Sequence, residues 1–484
     1  HFGYRRQRQM CIRDSIIESV LAEERLRNLK DGSSIMYDTT AFNLTMMYGL
    51  EAVTVPSNLE VGLKEWSPQN ISIKTNPEAI IWAVDGVDDN SVAFAARLME
   101  KGVEVRIIDK EALLSKQSLS RGSIAVLAMD NPEYEDLSET VNSIASDLDI
   151  SVLSIESGFG AEELPDWGGR HFRLLERPQI AILSQSGFSS YDVGVSWWSL
   201  DHHLGIRHSQ IDASLVNYAD LRRYNTIILP SGYRDMGEYE KKVLSDWMEQ
   251  GGTLIAHAAS SSALASEQGI GSVKLLQNTF EESEKYNISL QRELSALYEE
   301  LDIESVNSNK VDLDTAYPWE QSEGKYPPSQ LEYRDNWQSI FMPSGAFVSG
   351  RTDQEHWLTF GTNSTLPLLY RSYPVLMSDD SSEAPIRVGV FSDSAKANTY
   401  STINWSDIPP GKELNVRMSG LLWPEAAQRI ANSAYLTRDR IGKGQLILFS
   451  GEPNFRGATL GTNRVWLNAV VYGAGLGTEP RINP

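Results

Sequence analysis

The sequence predicts an α/β protein of two parallel-sheet, three-layer units, the second carrying an acidic helical insertion. Three observations predict it. Strand-like apolar runs alternate with amphipathic stretches of helical length, the pattern of parallel strands joined by crossover helices. A Gly/Pro-rich stretch, "GFGAEELPDWGGRHFRLLERP", separates two such series. From about Gln268 to Asp335 the texture turns acidic and helical, then loop-like, before strands resume.

The elements follow in order. "HFGYRRQRQMCIRDS" has four arginines, no apolar core and no useful periodicity, which excludes a signal peptide. Its "RRQRQMCIRDS" resembles translated sequencing-adaptor DNA, so residues 1–15, with Cys11, are expected to be non-native, and the true protein to continue upstream of Ser15. "SIIESVLAEERLRNL" reads as an amphipathic helix with Ile16, Val20 and Leu21 on one face. "EAIIWAV" and "VEVRIID" are strands flanking the helix "DDNSVAFAARLMEKG", which an Asp or Asn caps and Gly102 stops. "GSIAVLAM" and "ISVLSI" flank a second helix, with Pro132 in its first turn and Leu137, Val141, Ile144 and Leu148 on one face. The second series runs from strand "QIAILS" through helix "DVGVSWWSLDHHLG", buried strand "YNTIILPSG" and helix "GEYEKKVLSDWMEQGG" to strand "TLIAH" and a further helix. After the insertion come strands "APIRVGVFS" and "GQLILFS", and "NRVWLNAVVYG" as a closing helix. The expected domains are 51–175 and 176–475, the second interrupted at about 268–335, with 476–484 as a tail.

With 43 Lys+Arg against 65 Asp+Glu, the net charge of −22 repels phosphate backbones and anionic lipid, which argues against nucleic-acid and membrane-surface partners. No apolar run approaches the roughly 18 residues of a membrane span. One cysteine supports neither a disulfide framework nor a thiolate metal cluster.

Motifs that carry chemistry are sparse. None of the seven histidines begins H-x-x-E or H-E-x-x-H, and His202, His203 and His208 are poorly placed as joint metal ligands, because adjacent helical residues diverge. There is no G-x-S-x-G, no phosphate-binding loop, and no G-x-G-x-x-G after a strand; "GAGLG" follows a helix and reads as its stop. Trp197 and Trp198 beside Leu200 read as core packing rather than a sugar platform, and the long acidic helix as a solvated face.

Several stretches resemble one family. "DLRRYNTIILPSGY", "WMEQGGTLIAHAA" and "IGKGQLILFSGEPNFRGATLGTNRVWLNAVVYG" are similar to bacterial carboxypeptidase A-like zinc carboxypeptidases that carry a class I glutamine amidotransferase-like domain after the peptidase domain. "DGSSIMYDTTAFNLTMMYGLEA", "GSIAVLA" and "EHWLTFGTNSTLPLLY" fit the same group, so the resemblance spans about Asp31 to Gly473, most specifically at "PNFRG" and "GTNR". It implies flavodoxin-like and amidotransferase-like units, with residues 16–50 leading in from a catalytic domain that lies upstream. In working amidotransferases a nucleophilic Cys ends the strand after the Gly-rich turn, and a His and Glu follow the last strand. Here the nucleophile slot falls within His257, Ala258, Ala259 and Ser260, and "FSGEPNF" offers Glu452 without a His. Without a thiolate nothing attacks a carboxamide, and without a base a serine hydroxyl stays weak. His257, Ser260 and Glu452 thus mark a vestigial cleft.

The resemblance implies a non-catalytic accessory region whose partner is the peptidase domain of its own polypeptide. That domain would hold zinc and hydrolyse C-terminal peptide bonds, in a periplasmic or secreted protein; no cofactor is expected in this chain. Two alternatives stay open: a self-standing hydrolase, in which His257, Ser260 and Glu452 converge, and a carbohydrate- or other ligand-binding module with an aromatic-lined cleft at the strand ends.

Overall fold

The computed structural model describes residues 43–50, 52, 76, 78–161, 164–233, 236–298, 326–394 and 401–479. The adaptor-like segment with Cys11, the helix expected from Ser15 to Leu29, and the later part of the acidic stretch lie outside these residues.

The first unit runs β1 (Ile81–Val84), α1 (Ser91–Glu100), β2 (Arg106–Ile108), β3 (Ile124–Leu127), α2 (Leu137–Asp147), β4 (Leu153–Ile155) and β5 (Phe172–Leu174). Its strand order is β4-β1-β3-β2-β5, and every neighbouring pair is antiparallel. The expected parallel sheet is therefore corrected here. The first six elements form a β-α-β-β-α-β unit in which β3 inserts between β1 and β2, the split βαβ arrangement. The cause lies between β2 and β3. A parallel neighbour needs a crossover of a dozen or more residues, usually helical. This chain instead makes a small hairpin, Ala112–Leu114 against Gln117–Leu119, turning on Ser115 (φ 49°) and Lys116 (φ 67°). Two successive positive-φ residues are what a tight hairpin turn demands, but neither is the Gly or Asn that would announce it.

Helix α2 starts at Leu137, so Pro132 lies in the preceding loop rather than the first turn. Leu137, Val141 and Ile144 are buried, as their spacing requires. The linker is not structureless: it supplies edge strand β5, and Trp167 packs on Phe172 with ring centroids 4.7 Å apart.

The second unit comprises β6 (Ile180–Ser184), α3 (Ser190–Trp198), β7 (His208–Asp212), β8 (Thr226–Leu229), α4 (Glu238–Glu249), β9 (Thr253–His257), α5 (Ala258–Leu264), α6 (Ser283–Tyr298), α7 (Pro328–Ser339), β10 (Ala346–Thr352), β11 (Thr365–Tyr370), β12 (Glu383–Val388), α8 (Pro424–Ile430), β13 (Ala434–Ile441), β14 (Gly444–Phe449) and α9 (Leu460–Tyr472). The sheet path is β11-β10-β12-β13-β14-β9-β8-β6-β7. From β14 to β7 all pairs are parallel; from β14 to β11 all are antiparallel. The sheet is therefore mixed where a parallel one was expected.

Both faces of the parallel strands are covered. Leu183, Leu229, Leu254 and Leu448 pack with Leu244, Trp247 and Met248 of α4, whereas Ile182, Ile228, Ile255 and Ile447 share a core with Val465, Trp466 and Val470 of α9. Gly252 lets the α4–β9 turn close, since a Cβ there would sit 2.6 Å from the Trp247 ring.

The α9-side core continues into the first unit through Val92, Phe94 and Leu98 of α1. Arg464, 3% exposed, pins the junction: it donates to the carbonyls of Asp88 (2.8 Å) and Gly86 (2.9 Å), to Ser91 Oγ (3.0 Å) and to Asn468 Oδ1 (3.1 Å). The "GTNR" stretch thus serves domain packing. The insertion is also more than a solvated face. Tyr286, Leu290 and Leu294 of α6 and Leu331 of α7 are buried, Glu293 pairs with Arg387 at 2.6 Å, and Asp335 receives the Arg429 fork at 2.7 and 3.2 Å.

Candidate functional site

The parallel strands β8, β9 and β14 end together on an open cleft of about 760 Å³. Ser231, Tyr233, Ala258, Ser262, Arg371 and Glu452 are among the residues lining it. Ligands of open α/β sheets bind at such strand ends, and β9 runs directly into α5 there.

At the β9–α5 turn, where the resemblance leads one to expect a nucleophile, the first helical residue is Ala258. Ala258 is fully buried and has φ 44°, left-handed backbone that a non-glycine residue adopts at a cost of order 1 kcal/mol or more. A strained strand-to-helix turn of this kind presents a nucleophile in hydrolases. Here it presents a methyl group.

His257 and Ser260 do not form a replacement pair. The Ser260 hydroxyl donates to the Pro230 carbonyl at 2.6 Å, which ties α5 to the end of β8. The His257 ring lies in the α9-side core, edge-on to Phe449 and Trp466 at centroid distances of 5.6 and 6.1 Å, and its Nε2 is buried without a partner. Burial pushes its pKa down to about 3, so the ring is neutral.

Glu452 does reach the cleft. It is 8% exposed, and its pKa is pushed up to about 7, first by burial and then by the nearby Asp192 charge, with Arg371, Tyr373 and Arg456 opposing. Asp192 on α3 is raised as well, chiefly by burial. Arg371 Nη1 stands 3.8 Å from the Glu452 carboxylate. Tyr373 is driven well above the usual phenol range by burial and by the Glu452 charge. The arrangement can hold a proton near neutrality and offer a cation beside it; it offers no nucleophile.

Asp192, Arg371 and Tyr373 carry no motif in the sequence. They are separated from Glu452 by long stretches of chain and meet it only through the β-strand order. Tyr233, 96% exposed, stands at the cleft.

Elsewhere, His202 stacks on Trp198 at 5.2 Å, and His203, pushed down by burial, lies 3.5 Å from Asn463 Nδ2. Trp197 is 43% exposed rather than core. Among the described residues no group of three His, Cys, Asp or Glu could hold a metal ion, and no helix is long and apolar enough to cross a membrane.

The sequence matches no family model and no curated protein. Solved structures similar to this chain include a ThuA-like protein from Parabacteroides merdae (10% identity, 63% of this chain and 93% of that one, TM-score 0.30). Another ThuA-like protein, from Bacteroides uniformis, shares 12% identity over 60% of this chain and 89% of that one, with a TM-score of 0.28. A β-galactosidase from Bacillus circulans sp. alkalophilus shares 11% identity over 74% of this chain and 38% of that one, with a TM-score of 0.29. Overlap this low fixes neither activity nor substrate.

Proposed function

We propose that this chain is a non-catalytic accessory region of a bacterial zinc metallocarboxypeptidase, its second unit a degenerate class I amidotransferase-like domain. One observation carries the non-catalytic part: at the strained β9–α5 turn, where a nucleophile belongs, stands Ala258. The stretches named above support the family. So does the segment around Leu44–Met47, where Leu44, Tyr48 and Leu50 are 57%, 49% and 62% exposed while Met46 and Met47 pack against Phe455, Phe347 and Leu369. An apolar surface of this kind suits contact with a neighbouring domain. The peptidase domain, its zinc and a periplasmic or secreted location belong to the same proposal.

Two measurements test it. Glutamine and simple carboxamides incubated with the protein are expected to show no ammonia release above buffer, and Ala258→Cys is expected to add a thiol that turns nothing over, since the His257 ring lies in the core and cannot serve as its base. Steady turnover by the unaltered protein would overturn the non-catalytic reading. The native DNA upstream of the Ser15 codon is expected to run in frame into a domain bearing H-x-x-E, whose product binds zinc and trims peptide C-termini. A native start codon near Ile16 would overturn the carboxypeptidase reading.

A further inference from the structure

Three cationic side chains line the cleft among the described residues, and two are engaged with carboxylates. Arg429 forks onto buried Asp335, and Lys241 donates to the Gln268 carbonyl at 2.9 Å and to Glu238 at 3.3 Å. Arg371 differs. Its Nε donates to the Ser344 carbonyl at 3.2 Å, and its guanidinium lies over Phe455 at 5.3 Å and beside Tyr373 at 5.9 Å. These contacts fix its direction, yet its side chain stays 39% exposed and stops 3.8 Å short of Glu452, beyond hydrogen-bonding reach. A guanidinium held in place, open to a polar cleft and without a hydrogen-bonded carboxylate is a receptor for a planar anion.

We propose that the cleft binds a carboxylate ligand on Arg371, the carboxylate of a small organic acid or of a peptide C-terminus. Phosphate is the poorer fit, because its second charge would face both Asp192 and Glu452 across a single guanidinium. The hydroxyls of Ser231, Ser262 and Ser344 and the exposed Tyr233 ring remain for the rest of the ligand.

Binding is coupled to a proton. The charged and titratable groups facing Glu452 are Asp192 from α3, Arg371 and Tyr373 from the segment after β11, Tyr435 from β13 and Arg456 from the turn before α9. An ionised Glu452 competes with the ligand for Arg371, whereas the protonated Glu452 carboxyl can donate a hydrogen bond to the ligand carboxylate. Affinity therefore falls as pH rises through about 7.

The inference rests on reading the cleft as non-catalytic, but it fails separately: glutamine turnover would sink that reading, whereas absent carboxylate binding sinks only this one. The test is titration calorimetry on the full chain with an N-acetylated dipeptide, its C-terminal amide, and lactate, at pH 6 and pH 8. The free acid is expected to bind saturably, about tenfold more tightly at pH 6 than at pH 8, and the amide at least about tenfold more weakly. A dipeptide acid that outbinds lactate identifies a peptide C-terminus; equal binding identifies a small acid. Arg371→Gln should abolish binding, and Glu452→Gln should keep it while flattening the pH dependence. Equal binding of acid and amide, or no saturable binding of any acid at millimolar concentration, overturns the proposal. The acid–amide comparison decides even if a variant fails to fold.

Discussion

Replacing Arg464 with alanine is expected to cost on the order of 4 kcal/mol of stability in equilibrium urea unfolding. The guanidinium supplies hydrogen bonds to two backbone carbonyls, a serine hydroxyl and an asparagine oxygen, all at a buried junction. Truncation strands those acceptors away from water and opens a cavity between α9 and the β1–α1 loop. Arg464→Lys should recover only a minor part, because an ammonium cannot span acceptors that a planar fork reaches together. The two units should also lose cooperativity, so that tryptophan fluorescence and far-UV dichroism no longer trace one transition. A loss below about 1 kcal/mol would show that the junction is held by its apolar core instead.

The second large effect is hidden in the unaltered protein and appears on substitution. His257 has a folded pKa near 3, below its unfolded value of 6.5, so as pH falls below 6.5 the unfolded chain gains a proton that the folded one refuses. Stability falls with acidification across that range. Glu452 has a folded pKa near 7, above its unfolded value of 4.5, so between these values the folded chain holds a proton that the unfolded one has lost. Its contribution is full at low pH and is lost as pH rises through 7. Between pH 4.5 and 6.5 the unfolded state carries one extra proton on His257 and the folded state one extra on Glu452, and the two slopes cancel. Glu452→Gln should therefore lose stability on acidification through this window, and His257→Leu should lose it on alkalinisation, each by about 1.4 kcal/mol per pH unit. Denaturation at pH 4.5, 5.5 and 6.5 reads both. Parallel flat profiles in the two variants would show that neither group is perturbed as its burial demands.

How much of this was legible in the sequence depends on whether the determinant is local. Strands such as "TLIAH" and "GQLILFS" and the helix ending at Gly102 were readable because each is fixed by its own apolar pattern and stop signal. The direction of β3 was not. It follows from a connection that makes a small hairpin instead of a helix, and the Ser115 and Lys116 of its turn give no hint of positive φ, whereas alternation of strand and helix predicts a parallel sheet. The lack of a thiol, and of a histidine after the last strand, was legible in the stretches expected to form the cleft. Of its three named residues only Glu452 lines the cleft; His257 sits in the core, and Ser260 spends its hydroxyl on a neighbouring carbonyl. The partners that set the Glu452 proton affinity, Asp192 and Arg371, come from other parts of the chain and were invisible without the strand order.

That strand order bears on how the molecule is made. Strand β14, formed by residues 444–449, lies at the centre of the second sheet, with β9 on one side and β13 on the other. During synthesis, β6, β8 and β9 emerge long before the strand that joins them to the antiparallel half. Until Gly444–Phe449 leaves the ribosome, β9 is an unpaired apolar edge, open to chaperones or to a second nascent chain. The segment Gly444–Phe449 thus decides whether the preceding sheet closes or aggregates.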